Sequence, residues 1–132
     1  MEVPVFTNRT AESGVEAVFT ESLREQCTRA GVLGGATSDA RIEGEVRSIG
    51  GAPTILAPNG TLASYRLYGN AHLKLVKGGR VLSEIDVSGQ EDYLPDRIDG
   101  DVLRTETNRT TAMRRLAETL MRDGYDRLTT GW

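Results

Sequence analysis

The side chains that most often carry chemistry are scarce in this sequence. His72 is the only histidine and Cys27 the only cysteine, so no disulfide can form within the chain. A general base at His72 is one interpretation. Its position among charged neighbours in a strand-like segment favours a solvated surface histidine instead. Cys27 falls on the apolar stripe of a predicted helix, where a free cysteine packs as a small hydrophobic residue.

Acidic pairs and glycine motifs add no catalytic signal. Glu91-Asp92 and the pair Asp99/Asp101 lack the spacing of a calcium loop, and solvated connectors explain them better. The glycine patterns of dinucleotide-binding, P-loop and nucleophile-elbow sites do not occur. We therefore predict no enzyme activity, no cofactor and no metal site.

Size and charge limit the class of protein. The chain has 132 residues, which suits one domain over residues 1–132 with an ordinary hydrophobic core. Its formal charge of −3 argues against nucleic acid as the main partner, because such domains usually carry a basic stripe. No apolar run approaches the roughly 18 residues of a membrane helix.

The clearest pattern is a long two-faced strand from Thr61 to Lys77. Apolar and polar side chains alternate along it, which indicates a strand with one buried and one solvated face. Only Gly69 interrupts the pattern. The length predicted is about 15 residues, whereas the common strand has 5 or 6. The inward positions are Tyr65, Leu67, Ala71, Leu73 and Leu75.

Shorter patterns complete the list of predicted elements. A strand is expected at Glu2–Phe6, with Val3 and Val5 on one face. A helix follows, with a capping box between Ser13 and Glu16 and a stop at Gly31.

The second half of the chain predicts an antiparallel unit and a closing helix. A half-buried strand covers residues 40–50, and a connector covers residues 50–60. The long strand then forms a hairpin through Gly78-Gly79 with a strand over residues 81–90 that turns Val81, Ile85 and Val87 inward. A helix over residues 103–128 ends the chain. Gly124 lies within it.

This order, β-α-β-β-β-α, favours an α+β fold with two helices on one face of a single, mostly antiparallel, four-stranded sheet. The other face is then left bare. One interpretation is a polar surface that binds a partner, and the other is an ordinary solvated antiparallel sheet. The bare face and the hairpin tip predict the following partner-interface residues: Arg41, Glu43, Arg47, Arg66, Tyr68, Asn70, His72, Lys74, Gly78 and Gly79.

Four segments of the sequence form a recognisable set: "VPVFTNRT" before a helix, "SDARIEGEV", "NGTLASYRL" at the start of the long strand, and the closing "RRLAETLMRDGYDRLTTGW". Together they resemble the LPS-assembly lipoprotein family, LptE. The resemblance covers nearly the whole chain, and the order and spacing of the segments make it specific. The family's fold, two helices on one side of a sheet, agrees with the predicted elements.

The resemblance implies a non-enzymatic lipoprotein of the cell outer membrane, on the periplasmic side. Family members plug the large β-barrel LptD, help it to assemble, and assist delivery of lipopolysaccharide to the cell surface. A barrel lumen is polar and water-lined, which suits a plug with a polar sheet face. Cys27 cannot be the anchoring cysteine of the family, because it lies inside a predicted helix. We expect that anchor to lie in a leader outside these residues.

The sequence departs from the family at two lipopolysaccharide-contact positions. Some members carry a basic residue before the Asn-Gly that precedes the long strand, where Pro58 stands here. A second basic position, before the last helix, falls near Asp101, and the nearest cations are Arg97 and Arg104. Phosphate contacts favour Arg and Lys, so other cations of the chain become the candidates for binding the lipid phosphates. The alternative is that these cations only solubilise the hairpin. The lipopolysaccharide-binding candidates are Arg66, Lys74, Lys77 and Arg80.

These observations leave two functions to compare. The first is a plug and assembly partner of an LptD-like barrel. The alternative is a free-standing periplasmic module that binds a glycolipid or another apolar ligand in a groove beside the helices.

Overall fold

A computed structural model of the chain describes residues 1–33, 39–56, 62–94 and 102–130. The elements in chain order are β1 (Thr7–Asn8), α1 (Val15–Arg29), β2 (Ala40–Leu56), β3 (Leu62–Lys77), β4 (Arg80–Tyr93) and α2 (Val102–Thr129). The strands form one sheet in the order β1-β2-β3-β4. β1 runs parallel to β2, and the other neighbours are antiparallel. The predicted fold class is confirmed.

The first residues form less strand than the sequence predicts. Val3 is buried, but Val5 is 65% exposed, so the prediction that they share a face is wrong. Pro4 lies between them and has no N–H for a ladder. The segment makes only an isolated bridge from Glu2 to Arg41, and the strand itself begins at Thr7.

Helix α1 begins without the predicted capping box. Gly14, with a φ of 90°, is the N-cap, and no side chain caps the helix. The Glu16 carboxylate instead accepts a hydrogen bond from Asn8 Nδ2 at 2.9 Å. The predicted stop is confirmed. Gly31 has a φ of 73°, and the Val32 N–H bonds the Cys27 carbonyl at 3.0 Å, as in a Schellman motif.

β2 and β4 are longer than predicted, and β3 has about the length expected. β3 spans 16 residues without a break at Gly69. β2 continues to Leu56, so much of the expected connector at residues 50–60 is strand. A register shift after Val46 leaves Arg47 without a direct partner on β3. An extra residue of this kind is a β-bulge, and it turns the strand by one position. Ile49 consequently packs against the core beyond it.

Both helices cover the same face of the sheet. α1 packs on β1, β2 and α2, and α2 packs on β3 and β4. Cys27 is fully buried, and burial raises the pKa of its thiol to about 11. Gly124 fits its place in α2 because a Cβ there would lie 2.5 Å from Leu73 Cδ1. The largest fully buried side chains are Phe19, Leu23, Ile42, Leu67, Leu73, Leu75, Leu116, Leu120, Met121 and Leu128.

Candidate functional site

The sheet surface opposite the helices, here named the open face, is built from alternate residues of three strands. β3 runs through its centre, and each open-face residue from Arg66 to Lys74 has a polar or small neighbour on β2 and on β4. One cross-strand row reads Glu45, His72 and Asp86. Sequence reasoning included the β2 and β3 residues and missed those of β4, although the same alternation marks them. The missed residues are Glu84, Asp86, Ser88, Gln90 and Asp92.

His72 lies at the centre of an ionic cluster rather than free in solvent. Its Nδ1 is 2.7 Å from Asp86 Oδ1, and its Nε2 is 3.3 Å from Glu84 Oε2. Only 15% of its side chain is exposed. The bulged Arg47 also reaches Asp86 Oδ1, at 3.1 Å. The hydrogen bond from His72 is the main reason that the pKa of Asp86 lies below its ordinary value. The expectation of a solvated histidine is therefore wrong.

A second ion pair lies nearer the start of β3. Arg66 Nε donates to Asp92 Oδ1 at 2.7 Å, and Arg66 Nη2 donates to Oδ2 at 3.2 Å. This two-point pairing lowers the pKa of Asp92 and raises that of Arg66. Tyr68, the next open-face residue of β3, is 43% exposed. Its β2 neighbour is Gly50, whose missing side chain leaves one side of the ring uncovered.

The remaining open-face cations are also matched with acids. Arg41 Nε lies 2.7 Å from Glu43 Oε1, and Lys74 Nζ lies 4.0 Å from Glu84 Oε2. Arg47 also bonds Glu45, which is the main reason for a lowered pKa of that carboxyl. Charge on this face is therefore balanced locally. Two of the four candidate lipopolysaccharide ligands, Arg66 and Lys74, already have acidic partners.

The hairpin tip, residues 77–82, has a different character. Gly78 and Gly79 form its loop with φ values of 58° and 76°, as the tight turn of a type I′ hairpin requires. Lys77 and Arg80 flank the loop, exposed. Within the described part of the chain, neither makes an ion pair. The predicted interface residues Gly78 and Gly79 therefore lie between two cations that make no ion pair with the described residues.

Apolar side chains stand beside these cations. A register shift pairs Val76 with Val81 and Leu75 with Ser83, which leaves Leu82 without a partner. Val81 is 54% exposed and Leu82 50%. The prediction that Val81 points inward is wrong, because the extra residue Leu82 interrupts the alternation between Val81 and Ser83. The tip therefore combines cations with uncovered apolar surface.

Several further findings concern the rest of the chain. Pro58, Arg97 and Asp101 lie outside the described residues. No group of three or more potential metal ligands occurs among the residues that the structure describes. Within the same residues, no helix combines the length and the apolar character needed to span a membrane. An open cleft of about 360 Å³ lies beside the N-terminal segment, lined by Met1, Glu2, Val3, Pro4, Arg24 and Leu33.

Several solved structures share this fold, and two of those described next are lipoproteins. Rare lipoprotein B from Shewanella oneidensis has a TM-score of 0.66 and 15% identity, covering 98% of this chain and 95% of that one. A putative lipoprotein from Caulobacter crescentus CB15 has a TM-score of 0.67 and 13% identity, covering 93% and 88%. The PelC dodecamer from Paraburkholderia phytofirmans has a TM-score of 0.58 and 11% identity, covering 96% and 86%. At these identities the likeness shows the fold alone.

The sequence itself identifies the family. The LptE family model, described as lipopolysaccharide-assembly, matches residues 1–128. A comparison with curated proteins found no significant match. The chain belongs to the LptE family of lipopolysaccharide-assembly proteins. The resemblance stated from the sequence is confirmed.

Proposed function

We propose that this chain is a non-enzymatic lipoprotein on the periplasmic side of the outer membrane, where it plugs an LptD-like barrel and helps it to assemble. Family membership supports a place in lipopolysaccharide assembly. The observation that carries the finer proposal is the open face, which is polar along the length of β3. Its charges are paired within the face, so a polar lumen can receive it without stripping water from isolated ions.

The open face also offers an anchor for such a contact. Tyr68 is exposed between Gly50 and Gln90, with balanced ion pairs on either side along β3. Tyrosine and arginine are the residues that most often carry binding energy at protein interfaces. We expect Tyr68 and Arg66 to contribute most of the affinity.

The first experiment tests the barrel contact. Replacing Arg66 and Lys74 by Glu places like charges opposite Asp92 and Glu84 and should abolish co-purification with the barrel. Replacing Arg114 and Arg115 of α2, both exposed, by Glu makes the same change of charge on the helical side and should leave co-purification intact. Equal capture by both double variants would refute the assignment of the open face.

A charge swap separates recognition from folding. The variant R66E/D92R restores an ion pair with reversed direction. If the partner recognises the charge at position 66, the swap variant should still fail to co-purify with the barrel, although its unfolding midpoint returns to that of the wild type. Rescue of co-purification by the swap would mean that only the integrity of the sheet matters.

We propose further that the hairpin tip contacts lipopolysaccharide. Lys77 and Arg80 make no ion pair with the described residues, while Val81 and Leu82 are exposed, and phosphorylated acylated sugars combine the two matching chemistries. The double variant K77S/R80S should bind purified lipopolysaccharide at least about tenfold more weakly. The control R114S/R115S should be unchanged. Equal binding by both would leave the tip cations a solubilising role only.

A further inference from the structure

From Ser83 to Tyr93, the outer edge of β4 has none of the bulges, prolines or lysines that commonly protect an edge strand. β4 is the last strand of the sheet, and no strand among the described residues pairs with its outer side. Edge strands are commonly blunted by bulges, proline or lysine. β2, near the opposite edge, has a bulge after Val46, contains Pro53, and is partly covered by β1. Ser83–Tyr93 has no proline, lysine or arginine and no register shift.

The outward backbone groups belong to the even-numbered residues of β4. In an antiparallel pair a residue directs both its N–H and its C=O either toward the partner strand or away from it, and the two states alternate. The Asp86 carbonyl accepts a hydrogen bond from Arg127 Nη1 of α2 at 3.4 Å, which places this carbonyl on the outer side. The outward groups are therefore those of Glu84, Asp86, Ser88, Gln90 and Asp92.

The side chains of the same residues make this edge acidic. The side chains of Glu84, Asp86 and Asp92 are 51%, 59% and 49% exposed. Their cationic partners stand on β3 or β2, on the inner side of β4. The outermost charges of the open face are consequently negative. A strand that approached this edge would meet these carboxylates at alternate positions.

We propose that the outer edge of β4 is a docking site for an extended segment of a partner protein that carries Arg or Lys at alternate positions. The segment joins the sheet as an additional antiparallel strand, the mode known as β-augmentation. Backbone hydrogen bonds to the even-numbered residues supply affinity. Pairing of its cations with Glu84, Asp86 and Asp92 sets the register. Arg127 occupies one outward carbonyl in the free protein and moves aside.

A designed peptide tests the proposal on the intact chain. The probe is a labelled peptide of about eleven residues, matching the regular part of β4. It carries Arg at the three positions opposite Glu84, Asp86 and Asp92 in antiparallel alignment, with Thr and Val elsewhere. One control redistributes the same three Arg so that no register places two of them opposite two of these carboxylates, and another N-methylates the residues whose N–H would face β4.

We expect the probe to bind at least about tenfold more tightly than either control. The first control keeps the net charge but can match only one of the carboxylates in any register. The second keeps the cations but removes the backbone donors. Equal binding of the probe and either control would overturn the proposal, because the contact would then depend on charge alone or lack strand pairing.

Two measurements on the protein complete the test. Ser88→Pro removes an outward donor and should weaken binding about tenfold, whereas Ser88→Ala should not change it. Amide exchange provides a readout that needs no variant. The Ser88 and Gln90 amides should exchange quickly in the free protein and slowly with the probe, while the Val87 amide is slow in both. Protection confined to odd-numbered amides would refute the assigned edge.

A second copy of this chain is the competing occupant. Sedimentation of the free protein over a range of concentrations detects it. A monomer agrees with the proposal. A dimer that Ser88→Pro disrupts and Ser88→Ala preserves would overturn it, because the edge would then be filled by β4 of another copy.

Discussion

The two faces of the sheet share a backbone and differ in what holds their side chains in place. On the covered face, Leu73 and its neighbours touch apolar side chains of the helices and are removed from water. On the open face, His72 and Lys74 stand between them in sequence and contact carboxylates at the surface. Alternate residues of one strand therefore serve different purposes. The covered face supplies most of the free energy of folding, and the open face is the surface proposed here for recognition.

The two faces contribute differently to stability because one is removed from water and the other is not. Complete burial of a leucine side chain stabilises a fold by about 1.5–3 kcal/mol, whereas an exposed ion pair contributes only about 0–1 kcal/mol. The open face can accordingly change its charges at little cost to the fold. Substitutions that compare neighbours across the sheet test this division.

The largest effect is expected from Leu73→Ala. Leu73 is fully buried and lies against α2 near Gly124, so the truncation leaves a cavity and should cost about 2–5 kcal/mol. Lys74→Ala, one residue further on the open face, should change the free energy of unfolding by less than about 0.5 kcal/mol. Urea denaturation followed by circular dichroism measures both. Similar losses for the two variants would contradict the division between the faces.

A smaller effect is expected from Gly44→Ala on the covered face. A Cβ at Gly44 would lie 2.2 Å from Cζ of the buried Phe6 ring, which must then move, at a cost of about 1–3 kcal/mol. Gly50 of the open face has no neighbouring atom within 4 Å of its virtual Cβ, so Gly50→Ala should be neutral or slightly stabilising. Thermal melts of the two variants compare them, and a lower melting temperature for Gly50→Ala would disagree.

Polar contacts should show the same contrast at about 1–2 kcal/mol. The buried Thr20 hydroxyl accepts a hydrogen bond from the Phe6 N–H at 2.9 Å. Thr20→Val leaves that donor unpaired in the core. Thr28→Val, on the exposed side of the same helix, removes only a bond to the Arg24 carbonyl and serves as the control. Guanidinium denaturation should show a lower free energy of unfolding for Thr20→Val alone.

The smallest effect concerns acid stability. The pKa of Asp86 and that of Asp92 lie below the ordinary value of 3.8 in the folded chain. Their contribution to stability is therefore present above that value and is lost as pH falls through it and then through the lower folded pKa. Asp92→Asn should flatten this loss in denaturation series between about pH 5 and pH 2. An unchanged slope would argue against the Arg66 pairing.

Most of the fold follows from periodicity, but the exceptions have local causes. The alternation in β3 and the apolar spacing of the helices predict the covered face, because burial enforces those patterns. Ser13 and Glu16 match a capping box, yet Asn8 competes for the Glu16 carboxylate. Val81 follows the parity of β4 and still points outward. One bulge suffices for this, and a sequence pattern does not mark where an extra residue will be accommodated.

The candidate site was predictable in outline and less so in its pairing. The polar residues of β2 and β3 were expected on the open face from their alternation. The β4 carboxylates were not among the predicted interface residues, although they alternate along β4 as the polar residues of β3 do. The contact of Arg47 with Asp86 across β3 depends on the bulge and on register. Neither follows from the spacing of charges along one strand.

The bulge at Arg47 determines which side chains in the rest of β2 face the helices. Before it, even-numbered side chains of β2 point toward the helices, and after it odd-numbered ones do. Regular pairing of Arg47 with β3 would exchange inside for outside along the rest of the strand, sending Ile49 into solvent and Ser48 beneath α2. Deletion of Arg47 would instead restore a regular ladder with Ile49 still inside, so an alignment gap here would signal a straightened strand that lacks the Arg47 contacts with Glu45 and Asp86.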